Sequence, residues 1–268
     1  MKMKIKNLFF IAGIWLFLYL FFLLPFSLVY VAHSDAHQTI LDFNEWLTAL
    51  IVVLLGTFWW HIHYPLSLRH AWWGILIGAI PFVPLFIFFQ MGDTVWSLQH
   101  TPDVWPLIWI TVVNAIGVGV SEELIFRGTI LTLFRRIFGS YRHAILLSVG
   151  LTAILFGAMH LEIGTNFFFP SLTTAINAAG SGFLFGILTI GTKSLWPAII
   201  LHAAWDVLPM LQKVMNPGTW LADVSPQPFV LSGFLVGVAA CVVMVLFGLL
   251  IYGVWRRFSH QVVTEKMG

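Results

Sequence analysis

Long apolar runs separated by short polar segments dominate the sequence. Eight of these runs predict transmembrane helices, since a helix needs about 20 apolar residues to cross the hydrocarbon core. They lie at about residues 8–31, 45–61, 71–90, 105–135, 144–161, 173–191, 195–212 and 229–255. The fourth run is too long for one upright crossing, so part of it should tilt or project. The pattern predicts an all-α polytopic membrane protein with about eight transmembrane helices, forming a single integral-membrane domain over residues 1–268.

The polar segments alternate in charge along the chain. The basic set comprises Lys2, Lys4, Lys6, Arg69, Arg135, Arg136, Arg142, Lys193, Arg256 and Arg257. The opposite set comprises Asp35, Asp42, Glu45, Asp93, Asp103 and Asp223, with Lys213 as its clear basic exception. The positive-inside rule places the basic ends, and with them both termini, in the cytoplasm. The first apolar run exceeds the length of a signal-peptide core, so we expect an uncleaved first span.

The composition agrees with this prediction and narrows the partners. Hydrophobic residues make up 59% of the chain and charged residues 9%, against about 25% charged residues in a soluble domain. A net charge of +2 gives no indication of a nucleic-acid partner. The high hydrophobic content indicates that the surroundings are a lipid bilayer. The single cysteine, Cys241, leaves no intrachain disulfide and no cysteine-based metal site.

Three polar segments interrupt the apolar runs. A charged side chain at the bilayer centre costs about 3 kcal/mol or more. Charged residues within the apolar runs are therefore candidates for functional roles. The candidates are Glu122, Glu123 and Arg127 in the fourth run, Phe156 and His160 in the fifth, and His202 and Asp206 in the seventh. Their presence on three separate spans predicts a polar cavity inside the bundle.

Helical spacing suggests different roles for the two glutamates. Glu123 and Arg127 stand four residues apart, in the favourable order for an ion pair on one face. Glu122 is rotated by about 100° from that pair and is left for chemistry. The alternative is that all three form one buried ion-pair cluster. His202 and Asp206 are also four residues apart, so Asp206 could orient the imidazole of His202 or share a ligand or substrate with it.

These residue types support two kinds of hydrolytic chemistry. A carboxylate and an imidazole can activate a water directly while other polar groups stabilise the oxyanion. Alternatively, Glu122, His160 and His202 could bind zinc, which makes its bound water acidic. The sequence lacks the His-Glu-x-x-His signature of soluble zinc proteases. It also lacks the Gly-x-Ser-x-Gly nucleophile elbow, so serine and cysteine nucleophiles are not favoured.

The ordered motifs Glu-Glu-x-x-x-Arg, Phe-x-x-x-His and His-x-x-x-Asp resemble those of the CPBP intramembrane proteases. That family includes type II CAAX prenyl endopeptidases and bacterial (Abi) relatives linked to bacteriocin immunity. The resemblance covers a protease-like core at about residues 105–210. It implies an eight-helix fold and an intramembrane endopeptidase that hydrolyses a peptide bond in a membrane-associated protein or peptide. We expect a multi-pass protein of a bacterial cytoplasmic membrane.

The resemblance also implies roles for single residues. Glu122 and His160 would activate the water, and His202 with the residue at position 206 would stabilise the oxyanion. The prenyl-processing members carry Asn at that last position, whereas this chain has Asp206. An ionised aspartate would repel an oxyanion, so Asp206 should be protonated, orient His202 or ligate a metal.

Supporting positions and alternative functions complete the sequence-based predictions. Glu123, Arg127 and Phe156 would provide structural support. The resemblance favours a site without a cofactor, with zinc as the alternative. Two other functions stay open: a catalytically silent membrane protein that binds a peptide or confers bacteriocin immunity, and a transporter. The transporter is less favoured because the sequence shows no inverted repeat.

Overall fold

The protein is mainly helical in the part that the computed structural model describes, which comprises residues 5–16, 36–100, 104–139, 141, 143–161, 168–215 and 230–265. The helices are α1 (Ile5–Leu16), α2 (Ala36–Phe58), α3 (Ala71–His100), α4 (Val104–Glu123), α5 (Leu131–Phe138), α6 (Ala144–Ala158), α7 (Phe168–Thr192), α8 (Trp196–Met215) and α9 (Leu231–Glu265). A π-helical segment, Leu124–Ile130, joins α4 to α5. The described ranges contain one isolated β-bridge and no strand, which confirms the all-α prediction.

Several of these helices have the length and composition of membrane spans. Four segments are long and apolar enough to cross a bilayer: Ala71–Phe88, Val104–Phe138, Ser171–Thr192 and Leu231–Arg257. Three further apolar helices are shorter: Ile5–Leu16, Trp46–Phe58 and Ala144–Ala158. Large hydrophobic side chains cover the outer surface of the bundle, as lipid contact requires. The protein is therefore a polytopic membrane protein. The predicted first run continues to about residue 31, and its part after residue 16 lies outside the described residues.

Two helices continue well past the C-terminal ends of the apolar runs that predicted them. α3 continues to His100 and α9 to Glu265, about ten residues beyond each predicted end. Apolar composition marks only the stretch in contact with lipid. A helix can continue past it because its backbone hydrogen bonds are made within the segment itself.

The long fourth run forms one continuous helical path from Val104 to Phe138. The π segment in its middle begins directly after Glu123, and the Leu131 N–H bonds to the Phe126 carbonyl five residues back. The Thr129 hydroxyl also donates to the Leu124 carbonyl at 3.2 Å. Such π segments often occur at functional sites. The apolar pattern did not predict this one, because its residues are as hydrophobic as those of an ordinary helix.

Glycines allow close helix contacts beside the polar segments. α8 packs against α3 and α4, and α7 packs against α6 and α9. A Cβ on Gly119 would lie 3.0 Å from the Ile199 carbonyl oxygen, so the α4 and α8 backbones nearly touch. A Cβ on Gly157 would lie 2.5 Å from the Ala175 carbonyl oxygen, which shows the same for α6 and α7. Small residues at such crossings let helices approach closely in membranes.

Residues 59–70, which we call the strap, connect α2 to α3 across neighbouring helix ends. The Leu195 N–H donates to the Pro65 carbonyl at 2.8 Å, and the Trp196 indole donates to the Leu66 carbonyl at 3.0 Å. Arg136 of α5 donates to the His61 carbonyl at 2.9 Å. These contacts gather the end of α5, the α7–α8 turn and the strap at one end of the bundle. We call it the basic end.

Candidate active site

Glu123 lies at the centre of the polar cluster between α4 and α8. One carboxylate oxygen, Oε1, accepts a hydrogen bond from Arg127 Nη1 at 2.7 Å and another from His202 Nδ1 at 2.8 Å. The side chains of Glu123 and Arg127 are both 0% exposed. The ion pair predicted from the i, i+4 spacing is present. The bond to His202 links residues 79 positions apart and had no counterpart in the sequence-based prediction.

Aromatic rings enclose the other faces of the Arg127 guanidinium. Its central carbon lies 4.2 Å from the centroid of the Phe156 ring and 5.6 Å from that of Phe185. Nε and Nη2 of Arg127 have no hydrogen-bond partner among the described residues. Cation–π attraction, worth about 2 kcal/mol or more where water is excluded, stabilises the charge there. A Cβ on Gly182 would lie 3.0 Å from Nη2, so the guanidinium fills its space.

Glu122 has different surroundings from its neighbour in sequence. Its Oε2 lies 3.5 Å from His202 Nε2 and has no hydrogen-bond partner within the described ranges. Its side chain is 18% exposed, against 0% for Glu123. The helical rotation between adjacent residues thus separates a paired, fully buried carboxylate from one that is partly exposed and whose Oε2 makes no hydrogen bond among the described residues.

His202 is surrounded by three carboxylates. Because a carboxylate accepts, Nδ1 carries the proton that is shared with Glu123. Nε2 points the other way, 3.5 Å from Glu122 Oε2 and 3.4 Å from Asp206 Oδ2. The imidazole of His202 is therefore held by the hydrogen bond that it donates to Glu123. Asp206, which the i, i+4 spacing had suggested for that role, lies at the opposite ring nitrogen with its side chain 20% exposed.

His160 lies just beyond the end of α6, two residues after Ala158. Its Nδ1 is 3.0 Å from the Phe156 carbonyl oxygen. Since a carbonyl can only accept, Nδ1 carries a proton, and a neutral ring then has its lone pair on Nε2. The backbone one turn earlier provides the acceptor that the sequence had not identified.

Phe156 links the two histidines through its ring. The ring centroid lies 5.0 Å from that of His160 and 5.6 Å from that of His202, in edge-to-face arrangements. The same ring contacts Arg127, so it touches residues of three different segments. Phe156 therefore packs against three of the candidate residues, and its role as structural support stays a prediction.

The strap also contacts the π segment next to Arg127. The Tyr64 hydroxyl shares a 2.8 Å hydrogen bond with Thr129 Oγ1. The Tyr64 ring lies against Gly128, where a Cβ would approach Tyr64 Cδ1 to 2.6 Å. Neither Tyr64 nor Thr129 stood out in the sequence. A hydrogen bond between a loop and a distant helix has no local spacing signal.

Among the residues that the structure describes, no group of three or more His, Cys, Asp or Glu side chains is arranged to hold a metal ion. Glu122, His160, His202 and Asp206 nevertheless carry the carboxylate and imidazole groups that bind zinc in other proteins.

One known family matches the part of the chain that holds the polar cluster. Residues 104–208 match the family model described as type II CAAX prenyl endopeptidase Rce1-like. The matched segment begins at α4 and ends after Asp206, so it contains every candidate site residue. No curated protein and no solved structure matches the chain. The family match confirms the resemblance to the CPBP proteases. It supports a membrane protease of the CAAX prenyl endopeptidase kind, whose substrate is a peptide or protein.

Proposed function

We propose that this protein is an intramembrane endopeptidase in which Glu122 acts as the general base. The observation that carries this proposal is the unequal treatment of the two glutamates. Glu123 is committed to Arg127 and His202, whereas Glu122 is partly exposed and its Oε2 has no hydrogen-bond partner among the described residues. A partly exposed carboxylate beside the His202 imidazole is suited to accept a proton from water.

The proposed reaction uses the site as follows. Glu122 takes a proton from a water, and His160 Nε2 accepts a hydrogen bond from the same water and so orients it. The water oxygen bonds to the peptide carbonyl carbon, and His202 Nε2–H donates to the resulting oxyanion. Glu122 then returns its proton to the amide nitrogen as the carbon–nitrogen bond breaks. The products are a carboxylic acid and an amine, and transfer of the acid proton to the amine gives a carboxylate and an ammonium group.

Asp206 is proposed to act through His202. An oxyanion stabiliser must carry a proton on Nε2, and a nearby negative charge favours the doubly protonated imidazolium. Glu123 and Asp206 lie at opposite nitrogens of the ring, at 2.8 Å and 3.4 Å, and both favour that form. In this role Asp206 does not need to touch the oxyanion, so its departure from the family's Asn is compatible with hydrolysis.

Two amide variants test the assignment of the base. The assay uses protein reconstituted in liposomes with quenched fluorogenic peptides, one prenylated at its C-terminal end and one spanning the bilayer. Glu122→Gln should lower the hydrolysis rate by about 10²–10⁴-fold, the usual contribution of a general base, while the protein stays folded. Asp206→Asn should lower it less and leave Glu122 chemistry intact. Hydrolysis that persists in Glu122→Gln would instead favour a different base, and the absence of hydrolysis by wild type on either peptide would favour the silent binding protein.

The site is proposed to work without a metal. Purified protein that has been washed with a chelator should keep its activity, because the proposed base and oxyanion stabiliser are side chains. Zinc measured at one equivalent, with activity lost on stripping and restored by zinc, would show that Glu122 and the histidines are ligands.

Both termini are proposed to be cytoplasmic. The basic end gathers the strap, α5 and the α7–α8 turn, which carry Arg69, Arg135, Arg136 and Lys193, and the positive-inside rule places such an end in the cytoplasm. Alkaline phosphatase fused at the C-terminus should be inactive in bacterial cells and a green fluorescent protein fusion bright. The reverse result would invert the topology.

A further inference from the structure

We propose that a cavity at the basic end binds the phosphate headgroup of an anionic phospholipid. The cavity has a volume of about 520 Å³ and lies between α5, the start of α6 and α9. Its lining residues are Thr132, Arg135, Arg136, Gly139, Tyr141, Ala144, Ile145 and Tyr252. It opens on the outer surface of the bundle, apart from the cluster around Glu123.

The lining has the charge and donors that a phosphate monoanion requires. Among the described residues, the lining contains two arginines and no acidic residue. Guanidinium groups match phosphate oxygens through paired N–H donors. The hydroxyls of Thr132, Tyr141 and Tyr252 can donate as well. A phosphate diester offers only acceptors, so this set of donors complements it.

One of the two arginines is already held in place. Arg136 donates from Nη1 to the Trp60 carbonyl and from Nη2 to the His61 carbonyl at 2.9 Å, both in the strap. Holding the guanidinium before a ligand arrives reduces the entropy that binding would cost. Arg135, one residue earlier on α5, is exposed like Arg136 and makes no hydrogen bond to the strap among the described residues. It is therefore the better position at which to test the cavity without disturbing the strap.

The surroundings of the cavity favour a lipid over free phosphate. Ile145 of α6 and Tyr252 of α9 both line the cavity and pack against the same buried cluster, so the two helices each contribute a wall. From those walls, exposed apolar side chains continue along each helix away from the basic end, namely Leu147 and Leu151 on α6 and Leu249 and Leu246 on α9. Acyl chains would lie along this surface while the headgroup phosphate occupies the cavity. Basic pockets between membrane helices bind lipid headgroups in this way.

The test measures lipid binding to the purified, delipidated full-length protein, so it does not depend on the proteolytic activity. Native mass spectrometry would count bound lipids, and thermal unfolding would report their affinity. The probes are dioleoyl phosphatidylglycerol, dioleoyl phosphatidylcholine and inorganic phosphate. Wild type should bind phosphatidylglycerol in preference to phosphatidylcholine, and millimolar inorganic phosphate should neither stabilise it nor displace the lipid.

Matched variants separate the cavity from general attraction to a basic surface. Arg135→Gln should weaken phosphatidylglycerol binding about tenfold, as expected for the loss of a charge-assisted pair. Arg257→Gln removes an exposed charge of α9 outside the cavity lining and should change it by less than about twofold. The double variant Thr132→Val with Tyr252→Phe keeps the net charge and should also weaken binding, which covers the case in which Arg135→Gln folds poorly.

Three results would overturn the proposal. Equal losses in Arg135→Gln and Arg257→Gln would show non-specific attraction to the charged surface. Competition by inorganic phosphate would show a site for a soluble anion. Equal binding of phosphatidylglycerol and phosphatidylcholine, which carry the same phosphate diester, would show that the net negative charge of the anionic headgroup is not recognised.

Discussion

Replacing Glu123 by Gln removes the negative charge that two other side chains share. The substitution keeps the size of the side chain, so packing between α4 and α8 should be preserved. Arg127, which is 0% exposed, then loses the only carboxylate that it bonds among the described residues. His202 keeps at most a neutral acceptor at Nδ1.

The expected cost follows from the burial of the pair. Removing one partner of a buried ion pair costs about 3–5 kcal/mol, because the other charge is left without compensation. The Gln amide oxygen can still accept one of the two hydrogen bonds, and the ring of Phe156 still faces the guanidinium at 4.2 Å. We therefore expect a loss near the lower limit, about 3 kcal/mol. Hydrolysis should also fall, since His202 is no longer fixed.

The measurement is the free energy of unfolding in mixed micelles, followed by tryptophan fluorescence from the 13 tryptophans of the chain. Glu122→Gln is the matched control, since it makes the same chemical change one residue away. It should cost less than about 0.5 kcal/mol, because Oε2 of Glu122 makes no hydrogen bond among the described residues and lies farther from His202 than Glu123 does. Adding Arg127→Met to Glu123→Gln removes both charges and should recover at least about 1 kcal/mol relative to additivity.

The reasoning fails if the two glutamine variants behave alike. If Glu123→Gln is as stable as wild type within about 0.5 kcal/mol, Arg127 does not depend on it and the ion pair is not structural. If Glu122→Gln loses as much as Glu123→Gln, the two carboxylates act as one cluster, which was the alternative at the level of sequence.

Two further predictions concern residues around the site. Gly182→Ala should reduce hydrolysis, because the new Cβ would lie 3.0 Å from Arg127 Nη2 and displace it. Gly191→Ala on the same helix is the control, because its Cβ would meet nothing within 4 Å. It should be neutral or stabilising by up to about 1 kcal/mol in the unfolding assay described for Glu123→Gln. Equal effects of Gly182→Ala and Gly191→Ala would contradict the crowding at Gly182. Burial raises the pKa of the Tyr64 phenol, although its bond to Thr129 lowers it in part. The neutral phenol is therefore favoured in the folded state, and its contribution is lost as the pH rises above the ordinary value of about 10 and through the raised pKa. Tyr64→Phe should cost about 1 kcal/mol at neutral pH and make the loss of stability above about pH 10 shallower; parallel pH profiles would contradict this.

The sequence by itself determined the class of protein and the local pairings. With 59% hydrophobic residues, the chain can be stable only where most of its surface meets lipid or other helices. Apolar run length therefore located the helices, although it missed the polar extensions of α3 and α9. The Glu123–Arg127 pair was predictable because the spacing of side chains within one helix is a property of the local backbone.

Only the tertiary structure decided which residues of different helices meet. The bond between Glu123 and His202 depends on the close approach of α4 and α8, which no spacing along the chain encodes. The same holds for Tyr64, which reaches Thr129 from the strap. The π segment was equally hidden, because its departure from regular α geometry leaves the apolar pattern unchanged. Local backbone geometry repeats along every helix, whereas the contacts between helices depend on how all of them pack together.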